Sequence, residues 1–412
     1  MRVRLIEMRP AATTPAHQTG GLAELVCSNT FKSTELTNAH GLLKAELRLL
    51  GSMLLACADE ARVPGGSALA VDRVVFSAAV AGRVEAHPRI EVVRAEAGTL
   101  PEPGIVATGP LTSAPLAAAL ACVAGADALA FYDAIAPIVS GVSLDPAPMF
   151  KASRYGKGDG ADYWNAPLTR EAYGTFIDAL TAADQYAAHD FDRDAAAYFE
   201  GCLPVEEMAR RGRETLRFGP MKPVGLRDRD GREPFAVVQL RQEDRAAQMW
   251  NLVGFQTRLR HGEQARVFRT IPGLERAEFL RYGSIHRNSY VNAPRVLGSG
   301  LVLRSRPGTF VAGQLTGVEG YTESLGTGLL CGINLARVLR GERALVPPPE
   351  TMLGALLHYL TNADPGNFQP MNANFGLLPP LADAPREKAL KKAQLAERAL
   401  AAMRVFAEAV AA

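Results

Sequence analysis

Five thiol groups are the side chains of this chain best suited to covalent chemistry: Cys27, Cys57, Cys122, Cys202 and Cys331. They are scattered and none forms a C-x-x-C pair, so the spacing indicates neither a disulfide framework nor a zinc site. A thiolate can attack an electrophilic carbon, and it can also accept a proton. Because a cysteine is more often a small buried hydrophobe, the surrounding residues must separate the reactive thiols from the packing ones.

Two of the cysteines lie in distinctive motifs, Cys27 in LVCSNT and Cys202 in FEGCLPVE. The other three are predicted to pack in the core, because they lie on apolar helical stripes or beside a glycine-rich turn. Nearby cations lower a thiol pKa from its ordinary value of about 8.5. Three arginines follow Cys202 and could act in this way, or they could form an ordinary solvated helix face: Arg210, Arg211 and Arg213.

Strand and helix patterns alternate at both ends of the chain. VRLIE, IEVVRAEA and GIVATGP are predicted to be strands, and VVFSAAVAGRVEAH is predicted to be a helix. FVAGQLTGVEG reads as a strand with a glycine turn, and the helical run ESLGTGLLCGINLARVL follows it. This alternation is typical of an α/β fold whose sheet has parallel character.

The middle of the chain reads as α+β. Helices are predicted over ACVAGADALAFYDA and REAYGTFIDALTAADQYAAH, and strands over FAVVQLRQ and MWNLVGFQ. We therefore expect one discontinuous domain, in two parts at 1–115 and 280–345, with an insertion at 116–279. Residues 346–412 form a C-terminal segment, and its tail, rich in Ala, Leu and Lys, is predicted to be helical.

Composition excludes some classes of protein. The chain of 412 residues is 48% hydrophobic and 21% charged, which argues against global disorder. The net charge of +2 does not by itself indicate a nucleic-acid-binding protein, so any basic surface must be local. No apolar run reaches the roughly 20 residues that cross a bilayer, and the first residues are not a signal peptide. We expect a soluble, cytoplasmic protein with no metal site and no evident protein partner.

Many segments of the chain resemble one known family, the folate/FAD-dependent tRNA uracil-54 C5-methyltransferases of the TrmFO type. The match runs from Val3 to about residue 380 in the order of the family. The resemblance implies a glutathione-reductase-like FAD-binding fold, α/β and discontinuous, with an inserted α+β domain. The matching segments are EMRPAATTPAH, LVCSNTFKS, GGSALAVDR, IVATGPLTS, YFEGCLPVEEMARRG, FGPMKPVGL, VVQLRQED, LVGFQTRL, HRNSYVN, AGQLTGVEGYTES and NFQPMNANFGLLP.

The same resemblance implies a reaction. 5,10-Methylenetetrahydrofolate donates one carbon to C5 of a T-loop uridine in tRNA, FAD supplies reducing equivalents, and NADH or NADPH reduces the flavin again. Uracil C5 is a poor nucleophile until a thiolate adds at C6, so the reaction needs a thiolate and a nearby base. By resemblance, Cys202 is the nucleophile and Cys27 accepts the C5 proton.

The resemblance also implies a flavin site. Dinucleotides are usually held by G-x-G-x-x-G between a first strand and a helix, and an acidic residue after the next strand binds the ribose. Glu7 ends VRLIE and is the expected ribose ligand, followed by Met8 and Arg9, but no glycine loop precedes it. We expect the family's first strand, glycine loop and helix to be missing. An internal chain start is the favoured explanation, and a natural short form without flavin is the alternative.

Further contacts follow from the matching motifs. Flavin ligands are expected in two glycine turns, although these residues could simply make tight turns: Ala107, Thr108, Gly109, Gly313, Gln314, Gly317, Gly320 and Tyr321. Folate or substrate contacts are expected in HRNSYVN: His286, Arg287 and Asn288. An RNA-binding patch is expected in the insertion, where interleaved acids leave a mixed solvated surface as the alternative: Arg210, Arg211, Arg213 and Lys222. The alternatives in function are the same reaction on a ribosomal RNA uracil and a flavin-free RNA-binding protein without catalysis.

Overall fold

The computed structural model describes residues 1–14, 16–124, 128–186 and 203–412. The two ends of the chain build one large hydrophobic core, and the middle builds a second. Two long antiparallel strands connect them. The reactive motifs are therefore distributed over two packed units of one chain.

The N-terminal part contributes strands and helices to the first core. They are β1 (Val3–Glu7), β2 (Thr30–Ser33), α1 (Ala39–Leu49), α2 (Met53–Glu60), β3 (Arg62–Val63), β4 (Ala68–Val71), α3 (Arg73–Glu85), β5 (Ile90–Arg94), β6 (Gly104–Val106) and α4 (Ala114–Ala124). Polar side chains begin several of these helices: Asn38 accepts the amide of His40 at α1, and Asp72 accepts two amides at α3.

The middle part forms the second core. Its elements are β7 (Ala128–Ile135), β8 (Ile138–Ser140), β9 (Phe150–Lys151), β10 (Tyr163–Leu168), α5 (Arg170–Ala182), α6 (Val205–Arg210), β11 (Ala236–Gln242), β12 (Met249–Leu252), α7 (His261–Phe268) and β13 (Phe279–Arg281). Strands β8 to β13 make one antiparallel sheet in the order β13-β8-β12-β11-β10-β9. We call the unit built on this sheet, from Ile138 to Arg281, the inserted unit.

The C-terminal part returns to the first core. Its elements are β14 (Ser284–Val291), α8 (Ala293–Val296), β15 (Val302–Leu303), β16 (Arg306–Val311), α9 (Tyr321–Leu339), α10 (Met352–Asn362) and α11 (Lys388–Ala411). The tail predicted to be helical is α11, which packs on α1 together with α9 and α10. Leucines at helical spacing explain this packing, because Leu42, Leu43 and Leu47 of α1 are fully buried.

The first unit contains two parallel strand pairs, β1 with β5 and β6 with β16. In the second pair, Val106 lies opposite Val311, so the carboxyl ends of β6 and β16 meet at one edge. Ligands of open α/β sheets bind at such an edge. The turns that follow these two strands are the two glycine turns predicted to contact flavin.

The central strand of the inserted unit, β11, is buried at every residue. Val238 and Leu240 face the core with Phe176 of α5 and Phe268 of α7. Because side chains alternate along a strand, Arg241 points to the opposite face. That face is turned toward the first unit, where Arg241 bonds a residue of the Cys27 motif.

Two predictions of local structure are wrong. The helix predicted over ACVAGADALAFYDA ends at Ala124, and 128–135 form strand β7, which pairs with β14 through eight residues. Alanine favours a helix in isolation, but the ladder of backbone hydrogen bonds overrides that weak preference. Cys122 on α4 is exposed rather than in the core, whereas Cys57 and Cys331 are buried.

The boundaries predicted for the insertion, 116–279, remain a proposal. Leu116 and Leu120 of α4 pack in the first core, and the sheet of the inserted unit runs from Ile138 to Arg281.

Candidate active site

The Cys27 loop, residues 25–29, precedes β2 and is held from the far end of the chain. The Tyr321 hydroxyl oxygen accepts hydrogen bonds from the backbone amides of Cys27 at 2.9 Å and of Ser28 at 3.3 Å. Tyr321 is the first residue of α9, and its ring packs against Phe31 with centroids 5.6 Å apart. The helix after the second glycine turn therefore positions the backbone of the predicted proton acceptor.

Arg73, at the start of α3, binds the same loop from another side. Its guanidinium donates to the carbonyl oxygens of Leu25 at 2.5 Å and Cys27 at 3.5 Å. Its Nε donates at 2.8 Å to Glu243, a carboxylate that is only 1% exposed and follows β11. This buried ion pair joins the Cys27 loop to the inserted unit.

A second link runs parallel to the first. Asn29 is fully buried and donates its amide to the carbonyl oxygens of Val71 and Gln242, each at 3.0 Å. Its oxygen accepts the Arg241 Nε at 2.9 Å, and the Arg241 guanidinium lies 3.8 Å from Glu243. The loop is therefore fixed by groups from both units.

Positive charge surrounds Cys27. Burial by itself would lower the pKa of Arg73, but Glu243, with Tyr321 and Cys27, outweighs it and the pKa is raised. The pKa of Arg281 is lowered, first by burial and then by the charge of Arg73, while Tyr321 and Cys27 oppose the decrease. Cationic surroundings of this kind stabilise a thiolate.

Tyr321 is neutral in this environment. Burial, and next the negative charge that Cys27 can carry, raise the pKa of its hydroxyl. A neutral phenol whose oxygen accepts the two amides still has one proton to donate. The site therefore combines a thiol, a neutral hydroxyl donor and guanidinium groups.

Cys202, the predicted nucleophile, lies outside the described residues. The segment directly after it is anchored in the second core, where Val205 donates its amide to the carbonyl of Gln256 at 2.7 Å. Glu206 is fully buried and accepts from the Thr257 hydroxyl and the Arg258 amide, each at 2.8 Å. Burial raises the pKa of Glu206 despite these hydrogen bonds.

The first glycine turn, after β6, lies beside the second. The Ala312 amide, just before Gly313, donates to the Val106 carbonyl at 2.9 Å. Ala107 and Thr108 are exposed at this turn, and Gly109 has a φ of +66°, which favours glycine. These side chains and amides are therefore accessible to a ligand at the edge of the sheet.

The second glycine turn leads directly into α9. Gly317 has a φ of +88°, and a Cβ there would lie 2.5 Å from the Phe368 ring, so only glycine fits. Gly320 precedes the 19-residue helix and provides no side-chain cap. Gln314 donates to Glu319 within the turn, and the Gly313 amide is taken by Thr327 at 2.9 Å. The start of α9 has no side-chain cap, which favours an anion, and the buried carboxylate of Glu323 in its first turn offsets part of this preference.

Glu7, the predicted ribose ligand, is engaged by Arg9. Its Oε1 accepts the Arg9 amide at 3.0 Å and Nε at 2.9 Å, and its Oε2 accepts Nη2 at 3.0 Å. Burial would raise the pKa of Glu7, but these contacts outweigh it and the pKa is lowered. Arg9 is buried and also binds Glu24, whereas Met8 is half-buried. An ionised carboxylate has about four acceptor positions, so Glu7 retains capacity for a hydroxyl.

Asn288 on β14 is the folate candidate with the clearest signal. It is fully buried, and in the described part of the chain neither its amide nitrogen nor its oxygen has a hydrogen-bond partner. Its neighbour Ser289 donates its amide to the carbonyl of Pro110, so β14 lies against the first glycine turn. Orphaned buried polar atoms are rare and indicate an absent partner. The side chains of His286 and Arg287 lie outside the described atoms, although both residues are on β14.

The predicted RNA patch is largely paired with acids. Arg210 donates to Glu207 at 2.7 Å, and Arg213 binds Asp178. Arg211 is exposed but also has an interaction partner, and Lys222 is half-buried in a turn. The structure therefore brings Cys27, Tyr321 and the glycine turns together, while this patch lies on α6 and the residues after it.

The structure brings together four positioning residues: Asn29, Arg73, Arg241 and Glu243. Sequence reasoning had not singled out Asn29, Arg73 or Glu243. All four lie in motifs already recognised, namely LVCSNT, GGSALAVDR and VVQLRQED. A usable signal was the presence of charged residues inside or next to apolar strands, because a buried charge needs a partner.

Two kinds of feature are absent from the described residues. No group of three side chains suited to hold a metal ion is present among them. Within the same ranges, no helix combines the length and apolar character needed to cross a membrane.

Comparison with known proteins shows the family to which the chain belongs. Residues 1–343 match the family model described as GIDA, glucose inhibited division protein A. The chain is 58% identical over 404 residues to the Geobacter sulfurreducens methylenetetrahydrofolate–tRNA-(uracil-5-)-methyltransferase TrmFO, covering 97% of this chain and 92% of the relative. It is 54% identical to the TrmFO of Moorella thermoacetica, again covering 97% and 92%.

Solved structures support the fold. Aquifex aeolicus GidA superposes with a TM-score of 0.66 in its form II crystal, covering 93% of this chain and 67% of that chain at 15% identity. The form I crystal gives a TM-score of 0.64, covering 92% and 70%. The predicted α/β fold with an FAD-binding architecture is confirmed at this level.

Proposed function

Since this chain belongs to the GidA family and, within it, to the TrmFO type, we propose that it methylates C5 of the T-loop uridine, position 54, of tRNA. The carbon donor is 5,10-methylenetetrahydrofolate. One structural observation supports the proposal most: Cys27 lies between Arg73 and the neutral hydroxyl of Tyr321, beside the two glycine turns.

Cys202 is proposed as the nucleophile. Its thiolate forms a bond to uracil C6, and the electron pair of the C5–C6 double bond moves toward O4 to give an enolate. C5 of the enolate then bonds the one-carbon unit of the folate. Loss of the C5 proton and departure of tetrahydrofolate leave an exocyclic methylene, and reduction of this group to methyl expels the Cys202 thiolate.

Cys27 is proposed as the acceptor of the C5 proton. The charge of Arg73 and Arg281 stabilises its thiolate before the transfer. The backbone amides of Cys27 and Ser28 donate to the Tyr321 hydroxyl oxygen and so fix the position of the loop. Tyr321 keeps its own proton because burial raises the pKa of its hydroxyl, so it does not compete as a base.

The residues present fit part of a flavin site, without the glycine loop that usually holds the pyrophosphate. The uncapped end of α9 suits a phosphate or an electron-rich ring edge, and the glycine turns allow close approach of a planar group. Glu7 with Met8 and Arg9 would hold the ribose, and Asn288 offers a buried amide for the flavin or the folate. Reduced FAD, regenerated by NADH or NADPH, would supply the reducing equivalents.

The test uses the purified full chain. Flavin absorbance is measured first, and then transfer of labelled carbon from methylenetetrahydrofolate to a tRNA transcript, with a U54C transcript as control. We expect transfer only to the uridine transcript, and its loss in Cys27→Ser and Cys202→Ser with tRNA binding retained. Transfer to a ribosomal RNA fragment and not to tRNA would indicate a ribosomal RNA methyltransferase. RNA binding without bound flavin and without transfer would indicate an RNA-binding protein that has no catalytic activity.

A further inference from the structure

A cavity of about 370 Å³ opens on the inserted unit, apart from the Cys27 loop. It is lined by Phe150, Lys151, Trp164, Arg227, Asp228 and Arg229. Strands β9 and β10 form one wall, where Lys151 is paired with Trp164, and the loop before β11 forms the other. Its volume lies within the roughly 300–1,000 Å³ typical of ligand pockets.

The cavity carries net positive charge. Arg227 donates to the carbonyl of Gly231 and Arg229 to the carbonyl of Pro146, each at 2.8 Å. In the described part of the chain, no carboxylate forms an ion pair with either guanidinium or with Lys151. Carbonyl oxygens orient a guanidinium but leave its charge uncancelled, so the three cations outweigh the single carboxylate of Asp228.

The one acid of the cavity is already engaged. The Asp228 Oδ1 accepts the backbone amides of Asp230 at 3.0 Å and Arg232 at 2.8 Å. These bonds make the carboxylate part of the turn that presents Arg227 and Arg229. The acid thus helps to shape the loop and does not pair with the neighbouring cations.

The cavity also has an aromatic wall. The Lys151 Nζ lies 5.1 Å from the Trp164 ring centroid and 5.9 Å from that of Trp250. Lys151 is exposed, so it can leave the ring for an arriving phosphate. Aromatic rings beside basic groups are the combination that binds an unpaired nucleotide, with the base on the ring and the phosphate on the cations.

We propose that this cavity, the Lys151–Trp164 cavity, binds one nucleotide of the RNA substrate. The phosphate contacts Arg227 and Arg229, and the base stacks on Trp164. This inference rests on the proposed function for the identity of the ligand, but its site is separate from the Cys27 loop. It supplies the inserted unit with an RNA contact that does not depend on the arginines of α6.

The test compares tRNA binding of the full chain with two variants of the same loop. Arg227→Ala/Arg229→Ala removes the phosphate contacts. Arg232→Ala is the matched control, because its side chain is 80% exposed, lies outside the cavity wall and pairs only loosely with Asp230 at 3.8 Å. We expect the double variant to weaken binding about tenfold or more, and the salt dependence of log K to fall by roughly one per lost phosphate contact.

Tryptophan fluorescence provides the second readout. The chain has two tryptophans, and both lie beside Lys151. We expect tRNA to quench the emission of the wild type, and the conservative change Trp164→Phe to abolish most of that quench. A double arginine variant that binds like Arg232→Ala, or a full quench in Trp164→Phe, would overturn the proposal.

Failure of this inference can be told apart from failure of the proposed function. If the wild type methylates tRNA and the double arginine variant binds tRNA as tightly as the wild type, the proposed function holds and the proposed role of the cavity is wrong. If tRNA binding depends on the cavity but no methyl group is transferred, the role of the cavity holds and the proposed function is wrong. In the active enzyme, we expect the double variant to raise KM for tRNA and to leave kcat unchanged, since the cavity does not touch the reacting uracil.

Discussion

Arginines contact the Cys27 loop and also line the Lys151–Trp164 cavity, but they have different roles at the two places. Arg73 is buried against Glu243 and holds the backbone of the loop. Arg227 and Arg229 are exposed and contact only carbonyl oxygens among the described atoms. A guanidinium paired with a buried carboxylate is fixed in the fold and acts only on the groups beside it, as Arg73 acts on Cys27. A guanidinium that donates only to carbonyl oxygens keeps its charge available to an incoming ligand.

The arginines of the predicted RNA patch lie between these extremes. Arg210 and Arg213 are on the surface, but each is paired with a carboxylate. Exposed pairs contribute only about 0–1 kcal/mol to stability, yet they cancel charge that RNA phosphates would need. We therefore expect the cavity arginines to have the most charge available for RNA, and the predicted RNA patch and Arg73 to have less. Substitutions in each region test this order.

The largest effect is expected at the junction. Glu243→Gln leaves Arg73 buried without its counter-charge, so the free energy of unfolding should fall by about 3–5 kcal/mol. Methyl transfer should also fall, because the Cys27 loop loses an anchor. Urea denaturation and the tRNA assay measure the two effects.

A double variant separates charge from packing at this junction. In Arg73→Met/Glu243→Leu the Arg73–Glu243 ion pair is replaced by apolar groups, so part of the stability should return, while Arg241 still lacks the charge of Glu243. Methyl transfer should remain low because Cys27 has lost the guanidinium that stabilises its thiolate. Wild-type stability in Glu243→Gln would contradict the comparison.

Lys44 is a buried cation whose charge, unlike that of Arg73, depends on pH. Lys44 is fully buried and donates to the carbonyl of Phe31 at 2.7 Å, and burial lowers its pKa to about 7 despite the opposing charge of Glu323. Between pH 7 and about 10.5 the unfolded chain therefore binds more protons than the folded protein. Wild-type stability should rise with pH across this window by up to about 1.4 kcal/mol per pH unit.

Lys44→Met should lack this dependence. Comparing urea denaturation of the two proteins at pH 7 and pH 9, we expect the wild type to gain about 2.3 kcal/mol relative to the variant. The matched comparison is the buried Arg241→Met, which retains Lys44 and should keep the wild-type pH slope, because an arginine remains charged throughout. Parallel pH curves for wild type and Lys44→Met would show that Lys44 keeps its proton.

The smallest effect is expected in the predicted RNA patch. Arg210→Ala and Arg213→Ala should each change the Kd for tRNA by less than about twofold, because their charge is already balanced by Glu207 and Asp178. Filter binding at two salt concentrations is sufficient. A larger loss than in Arg227→Ala/Arg229→Ala would restore the patch predicted from the sequence and reverse the ranking.

Much of the fold could be predicted from local pattern. VRLIE is strand β1, IEVVR is β5, and the alternation around Arg73 is a strand followed by a helix. The prediction failed at 128–135, where an alanine-rich segment is a strand. Its partner β14 begins about 150 residues later, so no local preference could have indicated the pairing.

The candidate site, too, could be predicted only in part from the sequence. Motifs alone indicated Cys27, Tyr321 and the glycine turns, because reactive groups and obligatory glycines leave a local trace. They did not indicate that Arg73 pairs with Glu243, 170 residues away, or that Arg210 is balanced by Glu207. The sequence determined which chemical groups the protein possesses and the family it resembles. Only the tertiary structure decided which charges are cancelled and which remain available, because that depends on distances between residues remote along the chain.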